Sequence, residues 1–290
     1  MSQLYKPVRT YHDESLSKSE TKKYLLSIQL SLNGLSFCLL DTDLNKFVAL
    51  ETYRFDGVTD SISLCKHVET LILSHDFLHK PFRKVQVLYE TLKTTLIPDP
   101  LFDQAEKELY LQFNHVTDQF EQTLFDHLPT VGAHNVYAIP DCIKYKLGKF
   151  YQGVKFVHHS SVLIETILRK YKNKVPDKRA FVNVRDNYLD IVVIQAEKLL
   201  YYNAFNYRTI DDFLYYILYT FEQLHVNPEE VHLSMTGNIE KRTSLYDLVN
   251  SYVRNVSLGE RNAVFKYSHV LEDIPVHQFY TLFDISICEL

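Results

Sequence analysis

Three histidines, His67, His75 and His79, lie along one predicted helix, and the last two have the i, i+4 spacing that lets two rings chelate zinc. No HExxH pattern accompanies them. The stretch HDFLHKP (His75–Pro81) reads as a helix end, where the dipole alone favours histidine. His158-His159 beside Ser160-Ser161 suggests a nucleophile with its base. Adjacent strand residues face opposite sides, however, and a serine there suits the N-cap of the following helix. Tyr201, Tyr207, Tyr215 and Tyr219 read either as exposed interface anchors or as half-buried rings with wet hydroxyls, and the second reading is preferred. KYKLGKFYQGVKF (Lys144–Phe156) mixes bases with aromatics, as an RNA track does, but also as a solvated face does. None of these groups forms a catalytic set, and no catalytic or metal-ligating residue is assigned.

The bulk composition points the same way. A net charge of −5 over 290 residues argues against a phosphate-tracking surface, so nucleic acid is not an expected partner. Hydrophobic residues at 46% and charged residues at 23% describe an ordinary globular chain long enough for two lobes. No apolar run approaches the roughly 18–20 residues of a membrane span, and the first 21 residues are polar with no signal-peptide core. The four cysteines lack CxxC spacing and read as reduced thiols, which places the protein in the cytoplasm. The seven glycines leave little room for several phosphate-cradling loops, because close approach of backbone amides relies on glycine.

What must position any site is a sequence of elements written twice. Residues 1–21 read as a mobile tail. YLLSIQL, LSFCLLD and KFVALETYRF follow as three antiparallel strands, with Asn33-Gly34 as the first hairpin turn. A helix over Thr59–Leu78, capped at Thr59 or Asp60, presents Ile62, Cys65, Val68, Leu71 and Ile72 to the core, and KVQVLYE is the next strand. AFVNVRD, YLDIVVIQ and KLLYYNAFNY repeat the meander. A helix capped at Thr209 and the strand VHLSMTG complete the second copy. Superposed, Ile28 meets Val184, Phe37 meets Val193, Lys46 meets Lys198, Tyr53 meets Phe205 and Val85 meets Val231, which reads as internal duplication. The first half continues with a helix at Asp99–Phe113, a strand at Asn135–Ile139, a helix at Asp141–Phe150, a strand at Val154–His158 and a helix at Ser161–Tyr171. The second continues with a helix at Lys241–Arg254, a strand at Ala263–Tyr267 and a closing helix over Val276–Cys288. The Lys/Arg-rich stretch Arg169–Arg179 reads as the connection between lobes 22–175 and 176–290.

A three-stranded meander followed by a helix and alternating strands, present twice, resembles the actin, hexokinase, sugar-kinase and Hsp70 superfamily. FCLLDTDLNKFVALETYRF, TLIPDPLF (Thr95–Phe102) and HNVYAIPD (His134–Asp141) are similar to an uncharacterised bacterial family, domain of unknown function 3822, near the pilus-assembly and division-protein branch. The resemblance implies an α/β fold of two ribonuclease-H-like lobes, each a mixed five-stranded sheet flanked by helices. Nucleotide-binding members carry an Asp-x-Gly turn in the first hairpin of each lobe and a Gly-Gly near the adenosine. Here the corresponding positions read IQLSLNGL, NVRDNYLD and SMTGNIE, so the candidate nucleotide-binding residues are Ser31, Asn33, Gly34, Asp186, Asn187, Gly237 and Asn238. Without either Asp-x-Gly turn, the amide cradle and the metal anchor are lost together.

The expectation is therefore a cytoplasmic, non-catalytic interaction or scaffold protein on a degenerate actin-like ATPase fold. It takes no cofactor and works through an unidentified protein partner. The alternative is a divergent Mg-ATP-dependent switch or phosphotransferase. A ribonuclease-H-type nuclease ranks last, since the first-strand acid that its two metals require is absent.

Overall fold

The computed structural model describes residues 5–171 and 177–288. Along the chain its strands are β1 (Arg9–His12), β2 (Tyr24–Ser31), β3 (Gly34–Asp41), β4 (Lys46–Arg54), β5 (Lys84–Tyr89), β6 (Thr94–Pro98), β7 (Glu121–Leu128), β8 (Ala133–Pro140) and β9 (Lys155–His158). They continue as β10 (Lys178–Val184), β11 (Tyr188–Gln195), β12 (Lys198–Asn206), β13 (His232–Gly237), β14 (Asn255–Leu258) and β15 (Lys266–Tyr267). The helices are α1 (Ser61–Ser74), α2 (Lys107–Asn114), α3 (Asp141–Phe150), α4 (His159–Tyr171), α5 (Ile210–Gln223), α6 (Ser244–Tyr252) and α7 (Tyr280–Asp284). Two compact units result. One comprises the described residues of Met1–Val162, Asn262–Asp273 and Thr281–Leu290; the other comprises those of Leu163–Arg261 and Ile274–Tyr280.

In the first unit, the order β4-β3-β2-β5-β9 forms the expected five-stranded mixed sheet, and β1 and β15 add to the β4 edge. Alternation in β2 and β3 turns Leu26, Ile28, Leu30, Leu35, Phe37 and Leu39 into one core, where they meet Leu64, Val68 and Ile72 of α1. Asp60 caps α1 by accepting from the Ser63 amide at 2.8 Å. Ile62, expected inside, is 73% exposed, and Leu64 takes the inward position. The segment read as a mobile tail instead supplies β1, antiparallel to β4. Asp13 behind it accepts from Lys46 Nζ at 2.7 Å and from the Ser268 hydroxyl, so polar side chains tie this stretch down. β6, β8 and β7 form a separate three-stranded sheet, with Leu111 of α2 against Val136 and Ala138. Asp99–Phe113, expected as one helix, breaks into two 3₁₀ turns before α2 because Pro100 and the cap at Asp103 interrupt it.

In the second unit the sheet order is β12-β11-β10-β13-β14, the same succession as β4-β3-β2-β5-β9. A full capping box between Thr209 and Asp212 starts α5, whose Phe213, Ile217 and Phe221 cover the sheet. Each meander carries one bulge: between Leu39 and Leu40 where β3 meets β4, and between Val193 and Ile194 where β11 meets β12. Ile28 pairs with Phe37 and Val87, and Val182 pairs with Ile191 and Met235. The ladder thus matches Ile28 to Val182, Phe37 to Ile191 and Val85 to Leu233, two residues from the expected equivalences Val184, Val193 and Val231. A two-residue slip keeps every side chain on its face, so hydrophobic pattern alone does not detect it.

The unit boundary differs from the expected division after residue 175. After β14 the chain rejoins the first unit, where β15 lies parallel to β4 and Phe283 packs on Phe47 with ring centroids 4.8 Å apart. The fifth strand of the second sheet is therefore β14, not the segment Ala263–Tyr267. Of the basic connection at Arg169–Arg179, residues 172–176 lie outside the described residues.

Candidate functional site

Within the second unit, Asp186 and Asn187 form the β10–β11 turn, and Gly237 and Asn238 leave the end of β13 beside it. The Asn238 side chain donates to Asp186 Oδ1 at 2.7 Å, so these two candidate segments do come together. The amides of Gly237, Asn238 and the flanking Arg185 are engaged. Gly237 N–H donates to the His277 carbonyl at 2.9 Å, Asn238 N–H to the Val184 carbonyl at 2.8 Å, and Arg185 N–H to the Tyr188 carbonyl at 2.9 Å. Gly237 has φ of +85°, and a Cβ there would collide with the Val184 carbonyl oxygen. Its glycine thus serves close packing between β13 and β10. Beneath it, Asn183 donates to Asp190 at 2.9 Å and accepts from Thr236 at 3.2 Å.

Ser31, Asn33 and Gly34 occupy the β2–β3 turn of the first unit. Asn33 N–H donates to Ser31 Oγ at 3.2 Å, and the Asn33 carbonyl accepts from Phe55 N–H at 2.9 Å. At Gly34 a Cβ would collide with the Tyr53 carbonyl oxygen, so strand approach accounts for that glycine too. The turn residues Leu32 and Asn33 supply no carboxylate where a metal-orienting acid would stand.

Of the three histidines only His67 lies on α1, and each has its own partner. His75 Nε2 faces Glu51 Oε2 at 3.2 Å, His79 Nδ1 lies 2.9 Å from the His75 carbonyl, and His67 takes the Tyr5 hydroxyl at 2.6 Å. Glu51, buried on β4, also meets His12 Nε2 at 2.6 Å and the Tyr53 hydroxyl. Burial pushes its carboxyl up, but these hydrogen bonds outweigh burial and hold it at about 2. His158 is the last residue of β9, and its Nδ1 accepts from Ser160 N–H at 3.3 Å. It therefore takes the capping position above α4 that was expected of a serine. Asn135 donates to the Ser160 and Ser161 hydroxyls at 2.9 and 2.8 Å, closing a buried polar network. Lys146 pairs with Glu69 at 2.6 Å and Lys149 lies over the Tyr145 ring at 4.4 Å, which makes the basic helix a solvated face. Tyr207 donates to the Arg185 carbonyl at 2.6 Å, while Tyr215 and Tyr219 stack in the open on α5.

One cluster was not foreseen. Asp99, His127 and His134 place ligand-type atoms within 4.8 Å of one another on the three-stranded sheet. His127 Nε2 lies 3.4 Å from Asp99 Oδ2, and His134 Nδ1 lies 3.0 Å from Asp99 Oδ1. Burial, helped by the neighbouring His127, pushes His134 below its ordinary value against the pull of Asp99. No local spacing announces this cluster. The available signal is the tight stretch HLPTVGAH, which as a hairpin sets its two histidines opposite each other.

Comparison with known proteins follows the fold. The profile of the family described as "Protein of unknown function (DUF3822)" matches residues 13–256. A crystal structure from Bacteroides thetaiotaomicron, described as having an actin-like ATPase fold and unknown function, matches with TM-score 0.81 and 23% identity, covering 94% of this chain and 99% of that one. A type IV pilus biogenesis complex, PilM–PilN, matches with TM-score 0.58 and 11% identity over 91% of this chain and 97% of that one. A comparison with curated proteins gave no match.

Proposed function

The chain belongs to the DUF3822 family and carries an actin-like ATPase fold, and from that premise we propose that it is a non-catalytic interaction or scaffold protein. One observation carries the reading: two of the amides that would grip a phosphate, those of Gly237 and Asn238, already donate within the protein. A phosphate cradle works because several N–H groups point outward at once. In the second unit, Gly237 and Asn238 donate to backbone carbonyls, and the turn acid Asp186 accepts from Asn238. Binding an anion there would mean breaking these backbone contacts first, and a lost hydrogen bond at a buried group such as Gly237 costs about 1–3 kcal/mol.

The partner-bound role is supported by the PilM–PilN structure, in which a protein of this fold is described as part of a complex. Duplication of one meander is supported by the common strand order and by bulges at matching places, Leu39/Leu40 and Val193/Ile194. The free thiols Cys38, Cys65, Cys142 and Cys288 support a cytoplasmic setting.

Incubation of the purified chain with ATP and Mg²⁺ tests the reading. Phosphate release is expected to stay at the buffer rate, and affinity purification from the native cell is expected to return a stoichiometric protein partner. Turnover that scales with protein concentration and falls in Asp186→Ala would favour a divergent switch or phosphotransferase instead.

A further inference from the structure

We propose that Asp99, His127 and His134 form a binding site for a divalent transition metal, with Zn²⁺ the best match, on the three-stranded sheet. The backbone builds the site from three directions. His127 and His134 are direct partners in the β7–β8 ladder, so their side chains share one face. Their hairpin closes through Gly132, at φ of +70°, whose carbonyl accepts from Asp99 N–H at 2.9 Å. That bond fixes Asp99, just beyond β6, against the histidine pair.

The spacing is one that a shared metal ion can occupy. Zinc bonds of about 2.0–2.2 Å in tetrahedral geometry separate neighbouring ligand atoms by roughly 3.4 Å. The two histidine–carboxylate separations here are 3.4 and 3.0 Å. His134 Nδ1 is buried and faces Asp99 Oδ1 at 3.0 Å, so an ion entering between them would exchange this contact for two metal bonds. Ring orientation is held by stacking: Phe102 lies 3.8 Å from His134 at 9°, and His127 lies 4.7 Å from it at 30°. Two imidazoles and one carboxylate select borderline metals over Mg²⁺ or Ca²⁺, which prefer all-oxygen shells. Half of the His127 side chain is exposed, so an ion has access, and a three-ligand set leaves a position for water or a partner's donor. The proposed scaffold role does not depend on this site.

Titration of the tag-free, metal-stripped full chain with Zn²⁺, and with Co²⁺ followed by its visible d–d absorption, tests the proposal. One ion per chain at micromolar or tighter affinity is expected. His127→Gln and Asp99→Asn should each weaken binding more than tenfold, while His79→Gln, in the turn after α1, should leave it unchanged. The exposed position of His127 keeps its variant folded, which a metal-free melting curve matching the parent verifies. Absence of saturable binding, or binding retained in the His127→Gln/Asp99→Asn double variant, overturns the site.

Discussion

Gly237, a candidate for nucleotide binding, does structural work, and Glu51 holds His75, one of the histidines weighed as a zinc ligand. A side chain at Gly237 meets both an unfavourable φ and the Val184 carbonyl. Gly237→Ala is therefore expected to lose roughly 2–4 kcal/mol in urea unfolding, from left-handed strain plus overpacking. An unchanged midpoint would mean that β13 relaxes away from β10. Glu51 sets a pH dependence. Its folded-state pKa, about 2, lies below its unfolded value, so its contribution is present above about pH 4.3 and is lost as pH falls towards 2. Glu51→Gln should be less stable than the parent by at most about 3 kcal/mol at neutral pH, with the difference shrinking from about pH 5 downwards. Urea midpoints measured across that window check this, and a pH-independent difference would rule Glu51 out as the titrating group.

At the scale of elements, β1 is the clearest departure from what the sequence suggested. RTYH is short and polar enough to read as tail, yet it pairs with β4, and the Asp13–Lys46–Ser268 contacts follow directly behind it. Deleting residues 1–13 is expected to lower the melting temperature by more than about 5 °C, since 2 kcal/mol or more in a domain of this size shifts it that far. An unshifted melt would return β1 to the status of a tail. Strands with continuous apolar runs, β2, β3, β10 and β11, were legible because burial on both faces leaves an unbroken hydrophobic signature. β6 and β7 were not. TTLIP ends in proline, and EQTLFDHL has one face half open, so neither rises above loop composition. β14 and β15 are only four and two residues long, and their assignment to different sheets is set by tertiary pairing that no local pattern encodes.

For the whole molecule, the repeated order of two meanders was legible because the same hydrophobic sentence occurs twice, and the family match and actin-like fold agree with it. The candidate nucleotide positions were legible only as turns. What bears on them is the fate of amides such as that of Gly237, whose acceptor His277 is distant in sequence. The Asp99–His127–His134 cluster was hidden in part for the same reason: the two histidines share one hairpin, but Asp99 joins them only in the folded sheet. Isothermal titration of the full chain with Mg-ATP up to millimolar concentration addresses the central claim most directly. The account predicts no saturable heat and no rise in melting temperature, because a ligand stabilises only the state that binds it. Saturable binding that Asp186→Ala or Asn238→Ala abolishes would contradict it.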